Sequence, residues 1–265
     1  MLYIFNNILS QKTHGLLKRG IFMDSKGKGL CLAIGSVAAI VGYMVWQFAV
    51  VGVDTAYDDV QANLIAAADG SGIMPVLVIL IGVGLIINAA GLNGIRGMVG
   101  GTAESLGIFC VTAAIFMFVV SLGGIVAMGE VGSKFVEASD SATALATAGD
   151  AAGAGAAAAT ATTIATAGGY TLAASTAIGQ LGGLLFSIGF FAIGWAYKGS
   201  DIKGVLSFIP MGWLAMLAGA IGLVSTIIIA NVVDIDTSNQ ITGIAFLLST
   251  IWAVLLGVKL IGEQE

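Results

Sequence analysis

The side chains able to do chemistry are few, and they fall in short groups. Asp54, Asp58 and Asp59 form one group, and Asp234 and Asp236 another. Carboxylate oxygens brought together from two such groups could hold a divalent cation. Solvated acidic loops are the commoner origin of such spacing. Arg96, Glu104 and Asp201 form a third set, each close to the end of an apolar run. An enzyme acting on lipid would have to draw its acid–base groups from these three, because such catalysis needs a titratable group held beside its partner. Glu104 opens a run, where a carboxylate favours a helix N-terminus, and its nearness to Arg96 predicts an ion pair. A structural role is the expectation for both. Cys31 and Cys110 lie inside apolar runs and form no CxxC pair, so they supply neither a disulfide framework nor a zinc site. No HExxH, GxSxG, Walker or dinucleotide fingerprint occurs in its proper context. The many GxG strings follow from 39 glycines. Catalytic, cofactor-binding and metal residues are therefore none, no cofactor is expected, and the chain is read as not an enzyme.

The elements that carry these groups are six long apolar runs: Leu30–Val53, Ile73–Ala90, Ser105–Met128, Leu181–Tyr197, Val205–Val233 and Ile241–Ile261. Charged residues make up 9% of the chain and mean hydropathy is +1.02, whereas soluble domains carry about 25% charged residues. Lipid must be the solvent for much of this surface. A bilayer core of about 30 Å takes roughly 20 helical residues. The runs are continuous, so they are read as helices, not as the alternating strands of a barrel. The fold class expected is all-α, an integral membrane bundle of six transmembrane helices with a long Ala/Gly/Thr-rich exterior segment between the third and the fourth.

Orientation follows from the cations. Lys12, Lys18, Arg19, Lys26, Lys28, Arg96, Lys198, Lys203 and Lys259 fall on one side, and Lys134 alone on the other. The cation-rich side is expected to be cytoplasmic, with both termini there, in a multi-pass protein of the cell membrane. One membrane domain is divided as a cytoplasmic segment 1–28, helices one to three in 29–128, a low-complexity exterior segment 129–180, and helices four to six with a short cytoplasmic tail in 181–265. Within the third of these, Ser141 to Thr176 is nearly all Ala, Gly, Thr and Ser. Ala favours helix, but Gly153, Gly155, Gly168 and Gly169 should interrupt it. Two outcomes stand level: weak helices lying along the membrane surface, or a linker without fixed structure. Met23 to Lys26 reads as a native start, and residues 1–22 are expected to be dispensable.

Small residues recur on the spans: Gly35, Ala38, Ala39 and Gly42; Gly179 and Gly183; Ala215, Ala218, Gly219 and Gly222. Lipid offers no reward for burying apolar area, so close approach at small residues must hold the helices together. Packing within the chain is their expected use, with a dimer face as the alternative. Trp195 and Tyr197 are placed as interfacial anchors, and Trp213 and Trp252 as packing between helices. Pro75 fits a first helical turn, and Pro210 is expected to kink the fifth run. Asn88, Gln47 and Asn231 are the strongest polar groups in or near the spans, and no ionisable residue lies away from the span ends.

Residues 181–261 resemble an uncharacterised family of prokaryotic multi-pass membrane proteins, a domain of unknown function. The resemblance rests on Phe186-Ser-Ile-Gly189 to Trp195, on Gly212-Trp213-Leu214 with Ala218-Gly219, and on Ile251-Trp252 to Gly257-Val-Lys259. It implies fold and location only. The function expected is that of a membrane protein without catalytic chemistry: a scaffold, an accessory subunit or a small sensor. A transporter or channel for a small neutral or apolar solute is the alternative. The partners expected are the lipid bilayer and a membrane-protein partner or a second copy. The acidic pI of about 4.7 and the lack of a basic patch speak against nucleic acid.

Overall fold

The computed structural model describes residues 23–52, 55–56, 58–200, 202–206 and 208–263. Residues 1–22 and Asp201 therefore lie outside the described residues, and so does Asp54. Helix α1 is Ser25–Val45 and continues as a π-helical turn, Trp46–Val51. A short α2, Val60–Asp69, precedes α3, Met74–Gly94. Two long helices follow, α4 at Thr102–Thr147 and α5 at Ala151–Tyr197. Helix α6, Met211–Leu223, passes through a second π turn, Val224–Ile229, and ends at Ala230–Val232. Helix α7 is Ile235–Gly262. All except α2 are long and apolar enough to cross a membrane, so the protein is a six-span, multi-pass membrane protein.

Aspartates start four of these helices. Asp24, Asp59, Asp150 and Asp234 precede α1, α2, α5 and α7, and each carboxylate accepts the amide N–H three residues on. That bond satisfies a backbone donor the helix itself leaves open. Pro75 lies in the first turn of α3, as expected.

The spans close into a ring in which α1 packs on α3, then α4, α5, α6 and α7 follow in order, and α7 returns to α1. Facing glycines make several of these contacts. A Cβ on Gly257 of α7 would lie 2.6 Å from the Gly29 carbonyl oxygen of α1, and one on Gly189 of α5 would lie 2.8 Å from the Gly107 carbonyl oxygen of α4. The small face of α6 is buried as expected, at Ala215, Ala218, Gly219 and Gly222. Gly179, by contrast, meets nothing within 4 Å.

Three expectations are corrected. Ser141–Thr176 forms neither surface-lying helices nor a linker: it is the upper part of α4 and α5, which pair along their lengths as an antiparallel hairpin. The chain turns at Ala148–Asp150, with Gly149 at φ +80°. Glycines 153, 155, 168 and 169 do not break α5, because pairing supplies what propensity lacks. Gly132 and Gly168 let Leu64 of α2 seat between the two arms. The fourth span accordingly belongs to a helix that begins at Ala151, far before Leu181. The fifth begins at Met211, not Val205, with Pro210 as its cap and not a kink. Before it, Lys203 and Pro210 pair through a backbone bridge.

Gly219 and Gly243 separate propensity from contact. A Cβ on Gly219 would run into the Phe191 amide nitrogen and lie 2.7 Å from the Ser187 carbonyl oxygen, while Gly243 has open space around it. Gly219→Ala should lower thermal stability in detergent by about 1–3 kcal/mol, the usual cost of overpacking. Gly243→Ala should leave it unchanged or raise it by up to about 1 kcal/mol. Equal melting of the two variants would show that α6 does not rest on α5 through Gly219.

Candidate functional site

The centre of the ring is filled from α4, α5 and α7. Phe118 and Phe246 stand edge to face at 5.3 Å. Phe186 is 4.6 Å from both Phe246 and Phe190. Phe190 then meets Trp252 at 5.6 Å, and Trp252 meets Tyr197 at 5.9 Å. These rings form one column running toward the end of the bundle that carries Lys28, Arg96, Lys198 and Lys259, here called the basic end. Phe186, Phe190, Ile193 and Tyr197 lie four, three and four residues apart on α5, which puts them on one helical face. Tyr197 is thus an interior residue and not an interfacial anchor. Trp213, expected inside, is 56% exposed. Trp252 is fully buried as expected, and Trp195 is exposed near the basic end.

Glu104 lies at this end of the bundle and is fully buried. One carboxylate oxygen accepts the Gly97 and Gly100 amides, each at 2.9 Å, and the other accepts the Val99 amide at 3.2 Å. The turn can wrap the carboxylate because Gly97, Gly100 and Gly101 take φ of 80–91°, a region that L side chains rarely enter. Arg96, from the same turn, is exposed and makes no ion pair with Glu104. The expected pair is replaced by backbone amides, which reach the carboxylate without a second buried charge. Beside it, Tyr197 Oη is buried near the Glu104 carboxylate and has no hydrogen-bond partner. Trp252 Nε1 is likewise buried without a partner. Chemically, the site is an acceptor that locks a turn. Its carboxylate is closed to solvent and its bonds are to amides.

The remaining candidates are dispersed. Asp59 and Asp234 cap different helices, and among the described residues no group of three His, Cys, Asp or Glu is placed to hold a metal ion. Cys31 and Cys110 are free thiols. Asn88 of α3 donates to Ser36 Oγ of α1. Asn231 donates to the Ile227 carbonyl of its own helix at 2.9 Å. A cavity of about 70 Å³ lies between Trp46, Asn63, Ile125, Met128, Leu172 and Ser175, with mainly apolar walls.

One polar cluster escaped the sequence reading. Ser225, on the π turn of α6, donates to the Ser238 carbonyl at 2.6 Å and lies 2.9 Å from Thr242 Oγ1, while Ser238 Oγ donates to the Ser225 carbonyl at 3.0 Å. The four-residue step from Ser238 to Thr242 was a visible signal. The π turn that aims Ser225 at it was not. No family model, curated protein or solved structure matches the chain.

Glu104→Ala should lower stability by at least about 3 kcal/mol, since hydrogen bonds to a charged acceptor are worth roughly 1.5–3 kcal/mol each. Glu104→Gln should fall between it and the parent, because one carboxamide arm presents N–H to an amide N–H. Arg96→Ala should change stability by less than about 0.5 kcal/mol, as for an exposed side chain. A large loss on Arg96→Ala would mean that the arginine, and not the turn, balances Glu104.

Asp234 gives a pH dependence with a definite sign. The Thr237 amide, at 2.6 Å, and then the Thr237 hydroxyl, at 2.8 Å, hold its carboxyl below the usual carboxylate range. A carboxyl depressed on folding stabilises above its unfolded pKa of about 3.9, and the gain is lost as pH falls through the lower folded value. The melting difference between the parent and Asp234→Ala should therefore be constant near neutral pH and shrink below about pH 4. A difference that grew in acid would reverse the assignment.

Proposed function

We propose that this protein is a membrane scaffold or accessory subunit without catalytic chemistry, inserted with its basic end and both termini in the cytoplasm. Nine of ten Lys and Arg residues support that orientation, together with the even number of spans. The observation that carries the functional reading is the α4–α5 hairpin. At the level of Gly129, Met74 at the start of α3 packs against α4. The 18 residues from Glu130 to Thr147 then rise about 27 Å further at 1.5 Å per residue. Helix α2 packs between the arms as far as Phe135 and Ala161, and the paired tip beyond them is a rigid projection that suits engagement of another protein. The aromatic column speaks against the transport alternative, since it occupies the axis that a solute would use. The buried, amide-bonded Glu104 speaks against lipid chemistry at the basic end.

Three measurements test this. A photo-crosslinking side chain at Thr163 or Tyr170, both exposed on the hairpin, should give a discrete adduct in intact cells, and one at lipid-facing Ile79 should give none. Vesicles reconstituted with the purified chain should pass glycerol no faster than empty vesicles. Accelerated flux would support the transport alternative. A hydrolytic or transfer activity removed by Glu104→Gln in folded protein would overturn the non-catalytic reading.

A further inference from the structure

The corner between α5 and α6 combines features that neither the ring nor the hairpin uses. The Lys198 ammonium stands 4.4 Å from the Trp195 ring centroid and 5.5 Å from that of Trp213. Both indoles are more than half exposed. Lys203 is exposed one short loop away, tied by its bridge to Pro210. Among the described residues the only ion pairs are Lys134–Glu137 and Lys259–Glu263, and neither involves a lysine of this corner. Between them the loop turns out Val205, Leu206 and Phe208, the last 78% exposed.

Each feature limits what can occupy the corner. Large apolar side chains bunched at a loop tip disfavour water as their surroundings. Indoles favour the membrane–water boundary. An ammonium seated on ring faces is attracted to them and keeps donors free, because it has three. The same corner therefore presents hydrocarbon-seeking groups beside two cations. We propose that it binds the headgroup of an anionic phospholipid. Lys198 and Lys203 contact the phosphate, the indole rings hold Lys198 in place, and Phe208 and its neighbours lie among the first acyl carbons. A free phosphate would leave the apolar loop uncovered, and a zwitterionic lipid would bring no net negative charge to Lys198 and Lys203.

The test uses the full chain in phosphatidylcholine vesicles, with tryptophan emission quenched by brominated phosphatidylglycerol or by brominated phosphatidylcholine. The parent protein should reach half-maximal quenching at a several-fold lower fraction of the anionic lipid, since a cation near a charged surface contributes roughly fivefold in affinity. Lys198→Gln with Lys203→Gln should bring the ratio to about one without changing quenching by phosphatidylcholine. Lys198→Arg with Lys203→Arg should keep it. Equal quenching of the parent by both lipids overturns the proposal, and so does a preference that survives the double Gln substitution. Should the Gln variant lose its helix content, the parent and the Arg variant still decide. Millimolar inorganic phosphate should not displace the lipid; if it does, the corner is a soluble-anion site and the lipid assignment fails. In Trp195→Phe with Trp213→Phe, the remaining emission of Trp46 and Trp252 should show no anionic preference. An undiminished preference there would place the lipid elsewhere.

Discussion

Six helices in lipid gain nothing from hiding apolar surface, because the surrounding chains are as apolar as leucine. What holds this ring is the close approach of backbones where side chains are missing. Gly29 meets Gly257, Gly35 meets Gly84, Gly107 meets Gly189, and Gly194 meets Gly212. These contacts lie on different pairs of helices, so closure of the ring depends on all of them together. A side chain at any one position would move a whole helix, because the obstacle it meets is mostly backbone and backbone has no rotamer to change. Each helix offers small residues to the neighbours before and after it.

Closing a ring of helices leaves an axis to fill, and aromatic side chains fill it. Their edge-to-face contacts order the interior without polar atoms, except at the basic end, where Tyr197 and Trp252 bring an oxygen and a nitrogen into the column. Glu104 belongs to the same end. A carboxylate there is tolerable only because the α3–α4 turn bends its amides onto it, and the turn can bend only through glycines at positive φ. Charge and turn thus stabilise each other. The turn closes the connection between two spans, and the buried charge is the reason its shape is fixed.

How much of this was legible in the sequence depends on which force decides each element. Hydropathy decides insertion, so the number of spans, Pro75 at the start of α3 and the small face of α6 could be read directly. Hydropathy cannot separate an apolar loop from an apolar helix. Residues 205–209 therefore read as part of a span, although Pro210 stood ready as a start signal. Tyr197 and Trp213 exchanged roles because an aromatic near a span end can face lipid or the ring axis, and only the rotation of the helix settles which. Glu104 was read correctly as a helix-start residue, but its partner was missed. Backbone amides in a turn have no side-chain signature, whereas a nearby arginine does.

The hairpin shows where composition misleads most. Helix α5 runs from Ala151 to Tyr197 without one charged residue, and its upper arm has no span-like hydropathy to drive it into lipid. Local propensity alone would leave such a segment marginal, since its glycines each cost about 1 kcal/mol relative to alanine. Two features reverse that balance. Pairing with α4 brings Ala161 into a shared core with Phe135, Leu64 and Val50, which joins the base of the hairpin to α1 and α2. Threonine hydroxyls at 160, 162, 163 and 166 donate to carbonyls four residues back, so the exposed face keeps few free polar groups. The result is an upper arm that is neither a span nor an ordinary solvated helix. Its outer surface offers methyl groups and backbone where a soluble helix would offer lysine and glutamate. The charge of the hairpin lies on α4, in Glu130, Lys134, Glu137 and Asp140, and at Asp150 in the turn. The two arms therefore differ in kind: one carries charge along its length, and the other presents methyl groups and hydroxyls bonded to its own backbone.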